Sequence, residues 1–173
     1  GDLLGHDTHG LQLLAPYLGE LDKGSMLGRG EPRVLSERSS VATWDGERLP
    51  GPWLVRHAID WARPRAQMHG AATVVIRRSH HIACLAVYML RALQENMLLM
   101  LACSDPRSAS IAPFGGTQAV FTPNPLALGF PLSQGGRDAR HLRVDHDQRH
   151  DEPQACRRRT VRARLADGCA RQP

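Results

Sequence analysis

Four histidines stand in two short stretches that could do chemistry: Gly5-His6-Asp7-Thr8-His9-Gly10 and Arg78-Ser79-His80-His81-Ile82-Ala83. A histidine exchanges a proton near neutral pH. Interconversion of a carbonyl and an alcohol needs such a proton as hydride moves. A purely structural role is open to the same residues: Thr8 could cap a helix, and Asp7 could complement its dipole. His6, Asp7, His9, His80 and His81 are also all potential metal ligands. Adjacent histidines diverge on a strand, however, and neither stretch holds a His-x-x-x-His pair, so no metal is expected.

The elements that must position these residues can be read from periodicity. His9 to Leu21 predicts a helix with Leu11, Leu14, Leu18 and Leu21 on one face, stopped by Gly24. Ser39 to Trp44 alternates like a strand, and Asp45-Gly46 is a turn signal. A second helix opens at Pro52 and runs to about Met68, with Gly70 as its stop; Pro64 inside it predicts a kink or a split. Ala72 to Ile76 reads as a buried strand, which places Ser79-His80-His81 at a strand–helix junction. Junctions of this kind are where α/β proteins usually hold reactive groups. A third helix, Ala83 to Glu95, has Leu85, Tyr88, Met89 and Leu93 as its apolar face and Asn96 at its end. Met97 to Cys103 is a second apolar strand. Such strands expect cover on both faces, and strand, helix, strand in succession argues for an α/β layer architecture. Ser104 to Pro125 is rich in proline and glycine and reads as loop. There is no internal repeat and no Gly-x-Gly-x-x-Gly fingerprint, so a nicotinamide bound here is not held by a Rossmann first turn.

Bulk properties exclude several classes. The 173 residues suffice for one domain with a core, and the apolar fraction of 42% is ordinary for a soluble globular protein. No apolar run approaches the length of a bilayer span, so no membrane partner is expected, and the N-terminus does not read as a signal peptide. It looks like a chain cut upstream. Cys84, Cys103, Cys156 and Cys169 form no Cys-x-x-Cys pair; the expected setting is the reduced cytoplasm. Residues 1–136 hold 12 Lys+Arg against 11 Asp+Glu, whereas residues 137–173 hold 10 Arg against 6 acids. The net charge of +5 therefore sits almost wholly in the tail, and the body has no electrostatic footprint for nucleic acid.

Three motifs in order carry a resemblance. They are Gly5-His6-Asp7-Thr8-His9-Gly10 followed by Tyr17, then Ser79-His80-His81-Ile82, then Ser104-Asp105 leading to Ala112-Pro113-Phe114-Gly115-Gly116 and Asn124-Pro125. Over about residues 1–136 the chain resembles the malate/L-lactate dehydrogenase family of the non-Rossmann type, whose relatives include ureidoglycolate, sulfolactate and 2,3-diketogulonate oxidoreductases. The resemblance implies an α/β fold, with a helical N-terminal part and the mixed β-sheet of that family's cofactor domain, here incomplete. It implies NAD- or NADP-dependent interconversion of a small-molecule 2-hydroxy acid and its 2-keto acid, in a homodimer. On the matching positions it implies His81 as the catalytic acid/base and His9, Tyr17 and Thr8 as substrate-contacting residues. Ser104, Gly115, Gly116 and Asn124 fall on the cofactor side. Two departures stand out. Leu13 occupies the place of an arginine that usually pairs a substrate carboxylate, a contact leucine cannot make. Thr122-Pro123 replaces the usual Gly-Thr before Asn-Pro.

After Gly136 the composition changes: residues 137–173 contain no Ile, Phe, Tyr, Trp or Met. One reading is a disordered basic tail. The other is an off-frame segment. Back-translated and read one nucleotide later, Asp145 to Glu152 permits Thr-Met-Thr-Ser-Val-Thr-Thr-Asn, and Ala139 to Leu142 permits Pro-Val-Ile-Phe. The expected organisation is thus a partial dehydrogenase domain over 1–136 and an off-frame tail over 137–173, with little or no activity in the 173 residues alone. A non-functional remnant of such an enzyme and a basic nucleic-acid-binding module are the competing functions.

Overall fold

The structure, a computed structural model, describes residues 1–107 and 109–131, together with the backbone of 141–145 and 161–162. The chain divides into two compact units, Gly1–Tyr88 and Met89–Pro173. The off-frame reading of 137–173 lies almost wholly outside the described residues.

In the first unit, strands β1 (Arg33–Arg38), β2 (Val41–Asp45) and β3 (Thr73–Arg77) form one sheet in that order. β1 and β2 are an antiparallel hairpin, while β2 and β3 pair in parallel with Trp44 opposite Ile76. The sheet is therefore mixed. The parallel pair needs a crossover, and helix α2 (Gly51–His69) supplies it, with Pro52 in its first turn and Gly70 at φ 85 ending it. Leu54, Val55 and Ile59 of α2 are buried with Ala42 and Trp44 of β2. Trp44 meets the rings of His57 and Trp61 at 5.5 and 5.9 Å.

Several sequence expectations are corrected here. Pro64 does not split α2. Arg65 laces the neighbouring turn: its guanidinium donates to the Trp61 carbonyl at 3.0 Å, lies 3.9 Å over the Trp61 ring and pairs with Glu37 at 2.9 Å. Strand β1 was not foreseen, because Arg33-Val34-Leu35-Ser36-Glu37-Arg38 has no period-2 pattern and all six residues are exposed. Nor is β3 buried on both faces; Val75 is 54% exposed.

The first helix also begins later than predicted. Asp7–His9 and Leu11–Leu13 are separate 3₁₀ turns, and α1 covers Leu14–Asp22. Gly10 is non-helical between the turns, and Pro16, which has no N–H, fits only in a helix's first turn. Leu11, Leu14 and Leu18 of the predicted apolar face are exposed.

Helix α3 (Ala86–Leu93) straddles the division between units. It is shorter than predicted because Ala83, at φ 56, cannot be helical. Leu85, Tyr88, Met89 and Leu93 are buried as expected. Asn96 closes the helix at φ 56, its N–H bonding to Leu93 and that of Met97 to Ala92.

In the second unit, β4 (Leu99–Ala102), β5 (Leu126–Gly129), β6 (His141–Asp145) and β7 (Val161–Arg162) form an antiparallel sheet in that order. The strands before and after α3 thus lie in different sheets. Met89 packs where Gly129 leaves room: a Cβ there would sit 2.8 Å from that of Met89.

Candidate active site

The loop carrying Ser79-His80-His81 is held by its neighbour, residues 46–49. Backbone bonds run from Gly46 N–H to Arg77 O (2.8 Å), from Arg48 N–H to Arg78 O (2.9 Å) and from His80 N–H to Leu49 O (3.2 Å). At the base of this clamp lies Asp45, fully buried. It accepts from Arg78 Nε at 2.8 Å, Arg77 Nε at 3.0 Å and the Glu47 N–H at 3.1 Å. The Arg78 bond, followed by the Glu47 N–H and Arg77, holds its carboxyl far below the usual carboxylate range, against the opposing effect of burial.

This has a consequence for acid stability. A depressed folded-state value makes the contribution of Asp45 present above the unfolded value of about 4 and lost as pH falls below it, where the unfolded chain takes up the proton first. Asp45→Asn is expected to lower the melting temperature at pH 7 and to flatten its fall between about pH 4 and pH 2. Parallel melting curves for the two proteins across that range would count against it.

Beyond the clamp, Tyr17 of α1 reaches the histidine loop. Its hydroxyl lies 2.9 Å from His81 Nδ1 and 3.1 Å from the His81 carbonyl oxygen. Ala83, in the left-handed region, turns its N–H onto the same Nδ1 at 3.2 Å. Tyr88 Oη donates to the Ile82 carbonyl at 2.5 Å. The His9 ring lies 5.6 Å from that of His81, and Thr8 Oγ1 bonds His9 Nδ1 at 3.0 Å rather than capping a helix. The His80 ring lies 5.9 Å from that of Tyr17, and its Nε2 is 3.8 Å from Glu20. Glu20 is bonded by the Ser25 hydroxyl, which together with Lys23 lowers its pKa. Burial, then the charge of His6, lowers the pKa of His9, and burial raises that of Tyr17.

His81, His9, Tyr17 and Thr8 therefore come together, although 64 positions separate Tyr17 from His81. Sequence reasoning missed Asp45 beyond its turn signal, and it missed Gly51. An added Cβ on Gly51 would lie 2.4 Å from the carbonyl oxygens of both His80 and His81. Only the run Pro50-Gly51-Pro52 hinted at it.

In the second unit, Ser104 follows β4 and Asn124 precedes β5. The Cys103 N–H to Pro125 O bond of 3.3 Å joins these two ends, and both Ser104 and Asn124 are exposed. Gly115, at φ 76, and Gly116, whose N–H bonds Pro113 O at 2.8 Å, make a tight turn in the intervening loop.

Residues 1–145 match the malate/L-lactate dehydrogenase family. The chain belongs to that family. It is 30% identical over 135 residues to an L-lactate dehydrogenase of Cupriavidus necator, covering 78% of this chain and 39% of that protein. It also superimposes on a malate dehydrogenase from Entamoeba histolytica with a TM-score of 0.75, at 27% identity over 84% of this chain and 39% of that one. With the malate dehydrogenase of Pyrococcus horikoshii the TM-score is 0.73, at 29% identity, covering 83% and 39%. The chain thus spans about two fifths of the length of these malate/L-lactate dehydrogenase relatives. The family match runs on to residue 145, past Gly136 where the motif resemblance stops. Among the described residues no helix is long and apolar enough to cross a membrane.

Proposed function

We propose that this chain supplies the acid/base and substrate side of an oxidoreductase interconverting a 2-hydroxy acid and its 2-keto acid with NAD or NADP. The observation that carries the reading is His81, clamped at Nδ1 by Tyr17 and Ala83 and set beside His9. His81 holds the proton that the carbonyl oxygen takes up on reduction and that the alcohol returns on oxidation. His9, Tyr17 and Thr8 line the place for the substrate.

The nicotinamide, when bound, supplies or accepts the hydride. The exposed Ser104 and Asn124 side chains suit its polar groups. Gly115 has no atom within 4 Å of where a Cβ would stand, which leaves room for a ligand close to the backbone. Leu13 leaves a substrate carboxylate without the arginine usual at that place, so its pairing falls to another cation or the acid differs from a simple 2-keto acid. The exposed leucines of α1 support a homodimer whose second copy covers them.

Because the chain spans only two fifths of its relatives, we further propose that the 173 residues alone turn over little. A nicotinamide held from one side loses the geometry that hydride transfer needs. The test is oxidation of NADH and NADPH with a panel of 2-keto acids. It is run on this chain and on a chimera in which residues 1–131 replace the matching segment of the Cupriavidus necator relative. Oxidation by the chimera far above that by the chain supports both proposals. A correctly folded chimera inert with every acid would refute the assignment of function, and brisk turnover by the chain alone would refute the second proposal.

A further inference from the structure

We propose that Tyr17 is a positioning residue for the protonated form of His81, through a hydroxyl that reverses its hydrogen bond when Nδ1 takes a proton. The inference rests on the reading of His81 as acid/base and concerns how that residue is held.

An amide N–H can only donate. The Ala83 N–H, 3.2 Å from Nδ1, therefore makes Nδ1 an acceptor in this arrangement, and neutral His81 carries its proton on Nε2. The Tyr17 hydroxyl, 2.9 Å from Nδ1, then donates there as well. Ala83 is held at φ 56 to present its N–H in this way, a conformation that costs a non-glycine residue energy. Left alone, such a donor opposes a second proton, because that proton must go to Nδ1 and face the Ala83 N–H.

The Tyr17 hydroxyl supplies the acceptor that Ala83 cannot. It has one proton and two acceptor lone pairs, and burial raises its pKa, so it stays a hydroxyl across the neutral range. Its oxygen also lies 3.1 Å from the His81 carbonyl. When Nδ1 is protonated, the tyrosine O–H turns to that carbonyl and its oxygen accepts Nδ1–H. Both groups keep a partner, and the new bond is charge-assisted. From this cation His81 gives its Nε2 proton to a substrate oxygen and is left as the Nδ1–H tautomer, whose Nε2 can take the proton back. Among the described residues, the titratable groups near His81 include His9, with His6 beyond it, and His80 with Glu20. They bear on its charge, whereas Tyr17 and Ala83 bond Nδ1 itself.

The test is ¹⁵N-histidine NMR of the full 173-residue chain titrated from about pH 5 to pH 9, which needs no turnover. In the wild-type chain, neutral His81 is expected to be protonated at Nε2. Tyr17→Phe removes the acceptor of the cation but leaves the neutral form its Ala83 N–H. His81 is then expected to bind its proton about fivefold to tenfold more weakly, since a charge-assisted bond is about twice as strong as a neutral one. The His9 midpoint is expected to move less, which a general loosening of the site would not produce. An unchanged or tighter His81 proton in Tyr17→Phe overturns the proposal. So does a wild-type neutral His81 protonated at Nδ1, a result that decides the matter even where the variant fails to fold. Either failure leaves the function assignment to its own assay of nicotinamide oxidation.

Discussion

His81→Ala is expected to lower turnover of a 2-keto acid by about a hundredfold or more in the family chimera that carries residues 1–131. General acid–base catalysis contributes roughly that factor, and alanine has neither a proton to give nor a ring for Tyr17 and Ala83 to hold. The loss is expected in kcat more than in KM, because proton transfer develops in the transition state and not on binding. The bell or limb of the pH–rate profile that His81 imposes should vanish with it. A variant that kept most of its turnover would move the proton-transfer role to His9, whose ring is 5.6 Å away. His9 starts at a disadvantage for that role, because burial and His6 lower its pKa and make it a weaker base.

Gly51→Ala is the second large effect expected, and it acts without touching substrate. On helical propensity alone the change should favour α2, though by less than the roughly 1 kcal/mol of a helix interior, because Gly51 is its first residue. Packing decides otherwise. The new methyl group would stand 2.4 Å from the carbonyl oxygens of His80 and His81. Both are backbone atoms, fixed further by the His80 N–H bond to Leu49 and by Tyr17 at the His81 carbonyl. No rotamer change relieves the contact, so the helix start or the histidine loop must move. Overpacking of this kind typically costs about 1–3 kcal/mol, and a displacement of about 1 Å at a catalytic group can cost about a hundredfold in rate. The expected result is a lower melting temperature together with shifted amide signals of His80 and His81, and in the chimera a loss of turnover approaching that of His81→Ala. Wild-type melting and wild-type rate together would show that the loop adjusts without consequence.

The two predictions differ in what made them visible. His81 is legible in the chain itself, because Ser79-His80-His81 sits between an apolar strand and an amphipathic helix. Gly51 is not: a glycine before Pro52 reads as helix entry, and its contact partners lie some 30 positions away. The same division holds elsewhere. Helix α2, its Gly70 stop and the Asn96 end of α3 follow from local chemistry, namely proline in a first turn and residues that tolerate positive φ. Where non-local contacts outweigh local preference, the pattern misleads. Pro64 remains inside α2, with Arg65 binding Trp61 and Glu37 beside it. Strand β1 exists because β2 offers it a ladder, although its own residues carry no alternation.

The sequence by itself determined the residue types, the order of the three motifs and the family to which they lead. Tertiary structure alone decided that Tyr17 and Ala83 meet on one nitrogen of His81. It alone decided that a buried Asp45 anchors the loop through Arg77 and Arg78, and that the strands flanking α3 join different sheets. The physical reason is range. Capping, turn and periodicity signals act within a few residues, whereas a hydrogen bond across 64 positions depends on where the whole chain places its two ends.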